Sequence, residues 1–282
     1  MQQVPETSFR VDVRLVRMLV TVKNLQGELV GQLGRDDFVV YDSGVAQELA
    51  FFERYTAQPL SVALLVDTSG STARELKYEI ESVARFLEAL TREGNPNDAL
   101  TLYSFNHDVT RQTGFIRKPE RARQVLKTLK AEAGTSLYDA LCFAADSLAG
   151  REGRRVVVAV TDGGDTTSAK TYQEALRALH DTDAVMYSVL VVPVTSDAGR
   201  NIGGENALTT LAASTGGRVF APSVGAQLDE AFAEILRDLR TQYLLGYYPR
   251  GLPPPQSGFR RVRVEAKGPG LQVLSRSGYY EK

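Results

Sequence analysis

The sequence predicts an α/β protein in which a doubly wound, mostly parallel sheet flanked by helices is inserted into a small β-sandwich formed by the N- and C-terminal segments. Two observations lead to this prediction. Between Pro59 and Arg240, apolar strand-like runs alternate with helical stretches, whereas the segments on either side show mainly strand patterns. We therefore predict three segments: 1–58 and 242–282 as the two parts of the sandwich, and 59–241 as the inserted domain.

The inserted domain is predicted from its alternating elements. Strands are predicted at 60–66, 99–105, 154–161, 184–192 and 218–221, and helices at about 72–92, 119–131, 136–149, 169–181, 205–214 and 225–240. In the first helix the apolar residues follow helical spacing, and the Thr and Glu of 72–75 can form a capping box. Near-continuous apolar strands that alternate with helices indicate a parallel sheet covered on both faces.

The two flanking segments carry patterns typical of β-strands. Strands are predicted around 11–15, 19–22, 38–41 and 49–52 in the first segment, and at 243–248, 259–264 and 271–274 in the second. An Asp-Ser-Gly turn at 42–44 interrupts the first segment. Neither segment has enough strands to bury a core alone, so we expect the two to pair into one sandwich.

Composition excludes several classes of protein. Lysine and arginine number 33 against 34 for aspartate and glutamate, which argues against a nucleic-acid partner or a basic membrane anchor. No apolar run approaches the roughly 18 residues of a membrane span, so we expect no transmembrane segment. The single cysteine, Cys142, excludes a disulfide framework, and its apolar helical setting predicts a buried structural thiol.

Polar side chains follow the first strand of the inserted domain. The apolar run 62–66 leads into Asp67, Ser69 and Ser71, which are spaced two residues apart, and Gly70 lets the backbone turn sharply. Hard oxygen ligands at the end of a buried strand suit a small hard cation such as Mg²⁺. The competing interpretation is that these residues only cap the junction between strand and helix, where Ser and Asp are common.

Two later loops offer further oxygen atoms. Thr135 lies in a Gly-Thr-Ser loop before a helix, and Asp162 ends the apolar strand that includes 156–160. Ligands of open α/β sheets bind beyond the carboxyl ends of the strands, so we expect both residues to lie beside Asp67. The joint presence of these residues favours a metal site over capping alone.

The combination of Asp67, Ser69 and Ser71 with the distant Thr135 and Asp162 resembles the von Willebrand factor A domain with its metal-ion-dependent adhesion site. All five positions match that motif. The resemblance implies that the two serines and the threonine are oxygen ligands of Mg²⁺, with Mn²⁺ or Ca²⁺ as alternatives. It implies that the two aspartates hold the ion directly or through water. The implied function is non-enzymatic protein binding in adhesion or assembly, with an Asp or Glu of a partner protein completing the coordination.

The flanking segments extend the resemblance over nearly the whole chain. The stretches 36–42, 243–249 and 275–280 are similar to bacterial von Willebrand factor A-related proteins first noted in acidobacteria. Chains of that group usually follow a secretion signal, whose features residues 1–7 lack here. The resemblance therefore implies a secreted or periplasmic protein whose signal has been removed, with the cytoplasm as the alternative.

Two other functions could use the same residues. A Mg²⁺-dependent phosphatase or hydrolase would use Asp67 as its nucleophile. However, Ser69 stands where haloacid-dehalogenase-type phosphatases need a second acid, and no general base is evident. A scaffold with a purely structural metal would use the same ligands without capturing a partner. We therefore expect no catalytic residues and favour binding.

Four other polar residues receive structural interpretations. Asp165 is interpreted as a turn residue, with an outer-shell metal role as the alternative. Asp139 is interpreted as a first-turn residue that is favoured by the helix dipole. His107 is interpreted as a loop residue, and His180 as a cation-capable side chain at the carboxyl end of a helix.

Overall fold

The computed structural model describes residues 15–54, 57–70, 76–191, 201–222, 226–255 and 257–281. Within them the strands are β1 (Val16–Lys23), β2 (Phe38–Asp42), β3 (Val45–Gln47), β4 (Leu49–Arg54), β5 (Leu60–Asp67), β6 (Ala99–Phe105), β7 (Val109–Arg111), β8 (Arg154–Thr161), β9 (Ala184–Leu190), β10 (Val219–Phe220), β11 (Tyr243–Tyr247), β12 (Phe259–Ala266), β13 (Gln272–Ser275) and β14 (Gly278–Tyr280). The helices are α1 (Leu76–Glu93), α2 (Glu120–Leu126), α3 (Leu137–Ala149), α4 (Tyr172–Asp181), α5 (Ile202–Thr215) and α6 (Ala226–Arg240).

A six-stranded sheet forms the inserted domain, with strand order β10-β9-β8-β5-β6-β7. Neighbouring strands from β10 to β6 are parallel, and β7 is antiparallel to β6. The chain passes from β5 to β6 on one side and then returns to β8 on the other. The predicted doubly wound, mostly parallel sheet is thereby confirmed, and its direction of winding reverses between β5 and β8, where such sheets bind ligands.

Helices cover both faces of this sheet. Every residue of β5 is buried, and its apolar side chains alternate between two hydrophobic clusters. Val62, Leu64 and Val66 pack with α1 and α6 on one face, whereas Ala63 and Leu65 pack with α3, α4 and α5 on the other. Burial of both faces explains why β5 and β8 are almost continuously apolar in sequence.

The two ends of the chain build two further four-stranded sheets, in the orders β13-β1-β11-β4 and β14-β12-β2-β3. In the first sheet, β1 pairs with β11 so that Val20 lies opposite Tyr243. In the second sheet, β12 pairs with β2 so that Val264 lies opposite Val40. These four residues belong to one hydrophobic cluster, so the N- and C-terminal segments form one sandwich.

Several elements differ from the prediction. The short strands β3, β7 and β14 were not predicted, and the helix expected at 119–131 extends only over Glu120–Leu126. The turn that joins β2 to β3 has positive φ at both Ser43 and Gly44, as a type I′ hairpin turn requires. The strand pattern at 11–14 and the capping box at 72–75 lie outside the described residues. Within the described ranges, no helix is long and apolar enough to cross a membrane.

A buried carboxylate links the two sheets of the sandwich. Asp42 of β2 is fully buried, and its Oδ2 accepts hydrogen bonds of 2.8 Å from the hydroxyls of Tyr247 and Tyr279. Tyr247 lies in the opposite sheet on β11. Burial, together with the charge of Asp42, raises the pKa of both tyrosines, so both remain protonated donors.

We expect Asp42→Ala to lower the free energy of unfolding by about 3 kcal/mol, because it leaves the buried hydroxyl of Tyr247 and the half-buried hydroxyl of Tyr279 without their acceptor. Urea denaturation at neutral pH measures this loss. Asp36→Ala, which changes an exposed aspartate in the same segment, is the control and should leave the stability unchanged. Equal stability of the two variants would contradict the role assigned to Asp42.

His180 lies between the inserted domain and the sandwich, and its interpretation as a helix-end cation is wrong. The residue is 4% exposed, and its ring makes edge contacts with Phe259 and Tyr280. Burial, together with the positive charge of Arg276, lowers the pKa of His180 to about 4. The imidazole is therefore neutral at neutral pH, and it packs between α4 and the C-terminal strands, where it has a hydrogen bond with the Gly278 backbone.

The depressed pKa of His180 predicts that stability falls as the pH decreases from about 6.5 to about 4. In this range the unfolded chain takes up a proton at His180, whereas the folded chain does not. The loss approaches about 3 kcal/mol at the lower end. The stability difference between the wild type and His180→Gln, measured across this range, isolates the effect from carboxylate titration. His107→Gln changes the exposed histidine and should retain the wild-type slope; a flat difference curve for His180→Gln would contradict the prediction.

Candidate metal centre

Asp67 occupies the carboxyl end of β5, where the strand leaves the sheet. Its Oδ1 accepts a hydrogen bond of 2.8 Å from the Ser69 backbone N–H, and its Oδ2 accepts one of 2.6 Å from the Thr161 hydroxyl. The first bond forms a local turn of the kind that Asp favours, and the second joins β5 to β8. These two bonds hold the fully buried carboxylate in one orientation.

The electrostatic surroundings of Asp67 include a second carboxylate. Burial, together with the smaller effect of the negative charge of Asp162, raises the pKa of Asp67 to about 6. The hydrogen bonds from Thr161 and Ser69 oppose this increase. Two carboxylates close together at a largely buried position repel each other, and a cation between them would relieve that repulsion.

Asp162 begins the loop that follows β8. Its Oδ1 accepts a hydrogen bond of 2.9 Å from the Gly164 backbone N–H, and Gly163 has φ of +87°, which favours glycine. The first turn of α5 approaches this loop so closely that a Cβ atom on Gly204 would overlap the carbonyl oxygen of Gly163. The position of Asp162 therefore depends on a contact between two glycine backbones.

Thr135 lies in a loop that is bonded on two sides. On one side, the Glu132 N–H donates to the Thr68 carbonyl at 2.9 Å. On the other, the Thr135 N–H donates to the Thr166 hydroxyl at 3.0 Å, and the Thr166 N–H donates to the Thr135 carbonyl at 2.8 Å. These bonds join the loop before α3 to the segment after Asp67 and to the loop after Asp162.

The structure thus brings four of the predicted residues to one edge of the sheet: Asp67, Ser69, Thr135 and Asp162. Ser71 lies outside the described residues. In the described part of the chain, no group of three or more His, Cys, Asp and Glu residues could hold a metal. The donors at this edge are two carboxylates and neutral hydroxyls, and this set suits a hard cation such as Mg²⁺, Mn²⁺ or Ca²⁺.

Asp165 and Asp139 hold the surrounding loops to α3. Asp165 accepts a hydrogen bond of 3.2 Å from the Tyr138 backbone N–H in the first turn of that helix, and one of 2.6 Å from the Ser168 hydroxyl. Asp139 lies in the same turn, and its carboxylate accepts the backbone N–H groups of Ala169 and Lys170. Both aspartates therefore have structural roles, and Asp139 also anchors a loop, which its helix position alone did not indicate.

Thr161 and Thr166 are contacts of the site that the sequence interpretation missed. Thr161 holds Asp67 through its hydroxyl, and Thr166 holds Thr135. Both contacts join parts of the chain that are distant in sequence. The register between β5 and β8, in which Val66 lies opposite Val160, identifies Thr161 as the neighbour of Asp67. The register between two such strands cannot be predicted from a single sequence.

The thiol of Cys142 is free and half-buried, so it is less buried than the predicted buried structural thiol. The sulfur packs at the margin of the cluster between the sheet and α3. Burial raises the pKa of the thiol to about 11, which keeps it protonated and unreactive at neutral pH. Its predicted structural role agrees with these properties.

Comparisons with known proteins agree with this fold. Residues 62–165 match the family model of the von Willebrand factor type A domain. A comparison with curated proteins finds no match. Among solved structures, the conserved hypothetical protein BatB from Bacteroides thetaiotaomicron is similar at 17% identity and a TM-score of 0.52, covering 64% of this chain and 98% of that chain.

Two further structures are similar to the chain. The von Willebrand factor domain of the type V pili tip protein Mfa5 from Porphyromonas gingivalis has 15% identity and a TM-score of 0.53, covering 64% of this chain and 95% of that one. A von Willebrand factor type A protein from Catenulispora acidiphila has 13% identity and a TM-score of 0.52, covering 95% of this chain and 75% of that one. The inserted domain therefore has the fold of a von Willebrand factor type A domain.

We expect Gly204→Ala to lower the free energy of unfolding by about 2 kcal/mol, because the added methyl group forces α5 away from the loop that carries Asp162. Gly203→Ala is a matched control in the same helical turn. Its added Cβ would meet only the Asn201 side chain, at 3.5 Å, so stability should be unchanged or slightly higher. Thermal unfolding of both variants without metal tests the contact, and similar losses in the two would contradict it.

Proposed function

We propose that this chain is a non-enzymatic, divalent-cation-dependent protein-binding module. In this proposal a cation held by Asp67, Ser69, Ser71, Thr135 and Asp162 captures an Asp or Glu side chain of a partner protein. The observation that supports it most directly is the convergence of three separate chain segments at the carboxyl ends of β5 and β8, where two carboxylates lie near neutral hydroxyl groups. We propose the same domain boundaries as those expected from the sequence.

The chemistry of the donors fits a hard cation. Oxygen ligands favour Mg²⁺, Mn²⁺ and Ca²⁺, whereas the thiolate and imidazole ligands typical of zinc sites are not part of this set. A bound Mg²⁺ would supply a positive centre that attracts a carboxylate from outside the protein. Ser69 and Thr135 are neutral, so only the two aspartates offset the charge of the ion. The ion therefore attracts an external carboxylate more strongly than it would in a site filled with carboxylates.

The surrounding residues hold Asp67 and Thr135 in place in the absence of an ion. Thr161 and the Ser69 backbone N–H fix the two oxygens of Asp67, so the carboxylate is oriented before a cation binds. Thr166 forms hydrogen bonds with both the N–H and the carbonyl of Thr135. Such preorganisation lowers the entropy lost on binding, because few side chains have to become ordered.

The setting that we propose is adhesion or assembly at a bacterial cell surface, with the protein secreted or periplasmic. One protein with a similar fold is a pilus tip protein, which is compatible with this setting. The nearly equal numbers of acidic and basic residues give no general affinity for nucleic acid, so the proposed partner is a protein.

Direct measurement of metal binding tests the ligand set. We expect isothermal titration calorimetry with MgCl₂ to show one site, and Asp67→Ala to weaken it by at least about tenfold. Asp146→Asn, which changes an exposed aspartate on α3, should bind the ion as the wild type does. Equal Mg²⁺ affinity in wild type and Asp67→Ala would rule out this site.

A displayed peptide library tests the capture of carboxylates. Peptides selected for binding in Mg²⁺ and released by chelator should contain an Asp or Glu whose replacement by Asn or Gln abolishes binding. A metal that raises the melting temperature while no such peptide is recovered would indicate a structural scaffold instead. Mg²⁺-dependent turnover of p-nitrophenyl phosphate that is lost in Asp67→Ala would indicate an enzyme.

A further inference from the structure

A second polar site lies at the opposite end of the central sheet, in a cleft between the inserted domain and the sandwich. We call it the arginine cleft. Its charged and titratable lining residues are Arg17, Arg154, Arg155, His180, Asp183 and Arg276. Arg154 and Arg155 begin β8, whose other end leads to Asp162. Eight residues of strand at about 3.3 Å each separate the arginine cleft from the candidate metal centre by roughly 25 Å.

The arginine cleft carries an excess of positive charge, with four arginines against one aspartate. Arg154 donates to the carbonyl oxygens of Gln58 and Leu239, and Arg155 donates to those of Arg151 and Thr182. Carbonyl oxygens orient a guanidinium but do not neutralise it. Asp98 lies near enough to Arg154 to act on its charge, although burial still lowers the pKa of that arginine to about 10.

Arg276 supplies the most specific observation. The residue is 8% exposed, and its Nη1 forms an ion pair with the half-exposed Asp183. Its Nε is buried and has no hydrogen-bond partner among the described residues. Buried donors are normally paired, so the Arg276 guanidinium beside the cleft is left with one hydrogen-bonding group unsatisfied.

The size of the arginine cleft selects the kind of acceptor. Its volume is about 60 Å³. A single water needs on the order of 10–15 Å³ of such space, so the cleft has room for about four to six waters. This space suits one small oxyanion, which a planar guanidinium binds through paired hydrogen bonds.

We propose that the arginine cleft binds a small free oxyanion, either inorganic phosphate or a short carboxylate, with the Arg276 guanidinium as its principal contact. The bound anion contacts Arg17 and Arg276 from the sandwich and Arg154 and Arg155 from the inserted domain. It therefore stabilises the junction between the two domains. This site is independent of the function proposed for the metal centre, because it uses none of the same residues.

The two histidines of the chain provide a direct readout. Arg276, Asp181 and Asp183 are the charged groups that act on His180, and the positive charge of Arg276 depresses its pKa. An anion beside Arg276 offsets that charge. In NMR titrations with chelator present, we expect sodium phosphate or sodium acetate to shift the His180 ring signals saturably and to raise its pKa. The exposed His107 should not respond, and sodium chloride at equal ionic strength should have no comparable effect.

Matched variants test the contacts. Arg276→Lys retains a positive charge for Asp183 but lacks the planar guanidinium, and it should weaken phosphate or acetate affinity at least about tenfold. If that variant does not fold, the exposed Arg17→Gln provides a milder test and should weaken binding several-fold. Arg261→Gln changes an exposed arginine of β12 outside the cleft and should bind as the wild type does.

A response to phosphate alone would identify phosphate as the ligand, and a response to acetate alone would identify a carboxylate. The proposal is overturned if neither anion gives a saturable shift, if chloride reproduces the shift, or if Arg276→Lys and Arg17→Gln bind as tightly as wild type. Loss of Mg²⁺ binding in Asp67→Ala leaves these results unaffected, so the two proposals fail separately.

Discussion

The complete burial of β5 is the constraint on which the rest of the structure depends. The strand is paired on both edges and covered by helices on both faces, so polar side chains are tolerated mainly where it ends. At that end the Asp67 carboxylate is buried, and it requires the Thr161 hydroxyl and the Ser69 backbone N–H as partners. The loops that carry Thr135 and Asp162 then pack around this fixed carboxylate. The candidate metal centre is thus a consequence of how a fully buried parallel strand has to terminate.

The parts of the fold that could be predicted are those in which one short stretch of sequence determines the result. The apolar runs of β5 and β8 predicted buried parallel strands, and the residues that follow them predicted which edge would carry the site. Contacts between distant segments could not be predicted. Thr161 meets Asp67 only through the register of two strands, and His180 is buried by Phe259 and Tyr280, which lie about 80 and 100 residues later in the chain. Strands of three residues, such as β3 and β14, contain too few positions to show a period.

The two ends of the central sheet differ in charge. Carboxylates and hydroxyls occupy the carboxyl ends of β5 and β8, whereas arginines occupy the amino end of β8 and the adjacent part of the sandwich. His180, whose pKa is lowered, lies at the basic end, and Asp67, whose pKa is raised, lies at the acidic end. Acidic and basic groups are therefore separated along the central sheet, although the chain as a whole carries a formal net charge of only −1.

The connections between the two domains have a mechanical consequence. The strand that leads into the inserted domain, β4, and the strand that leaves it, β11, are antiparallel neighbours, and Arg54 lies opposite Tyr243 at their shared end. The two connections between the domains therefore begin side by side, near the end of the central sheet that is opposite Asp67. A tensile force applied at the Asp67 end of the inserted domain would reach the sandwich through two covalent connections. Neither connection alone would carry the whole load, and the inserted domain would resist being twisted about a single hinge.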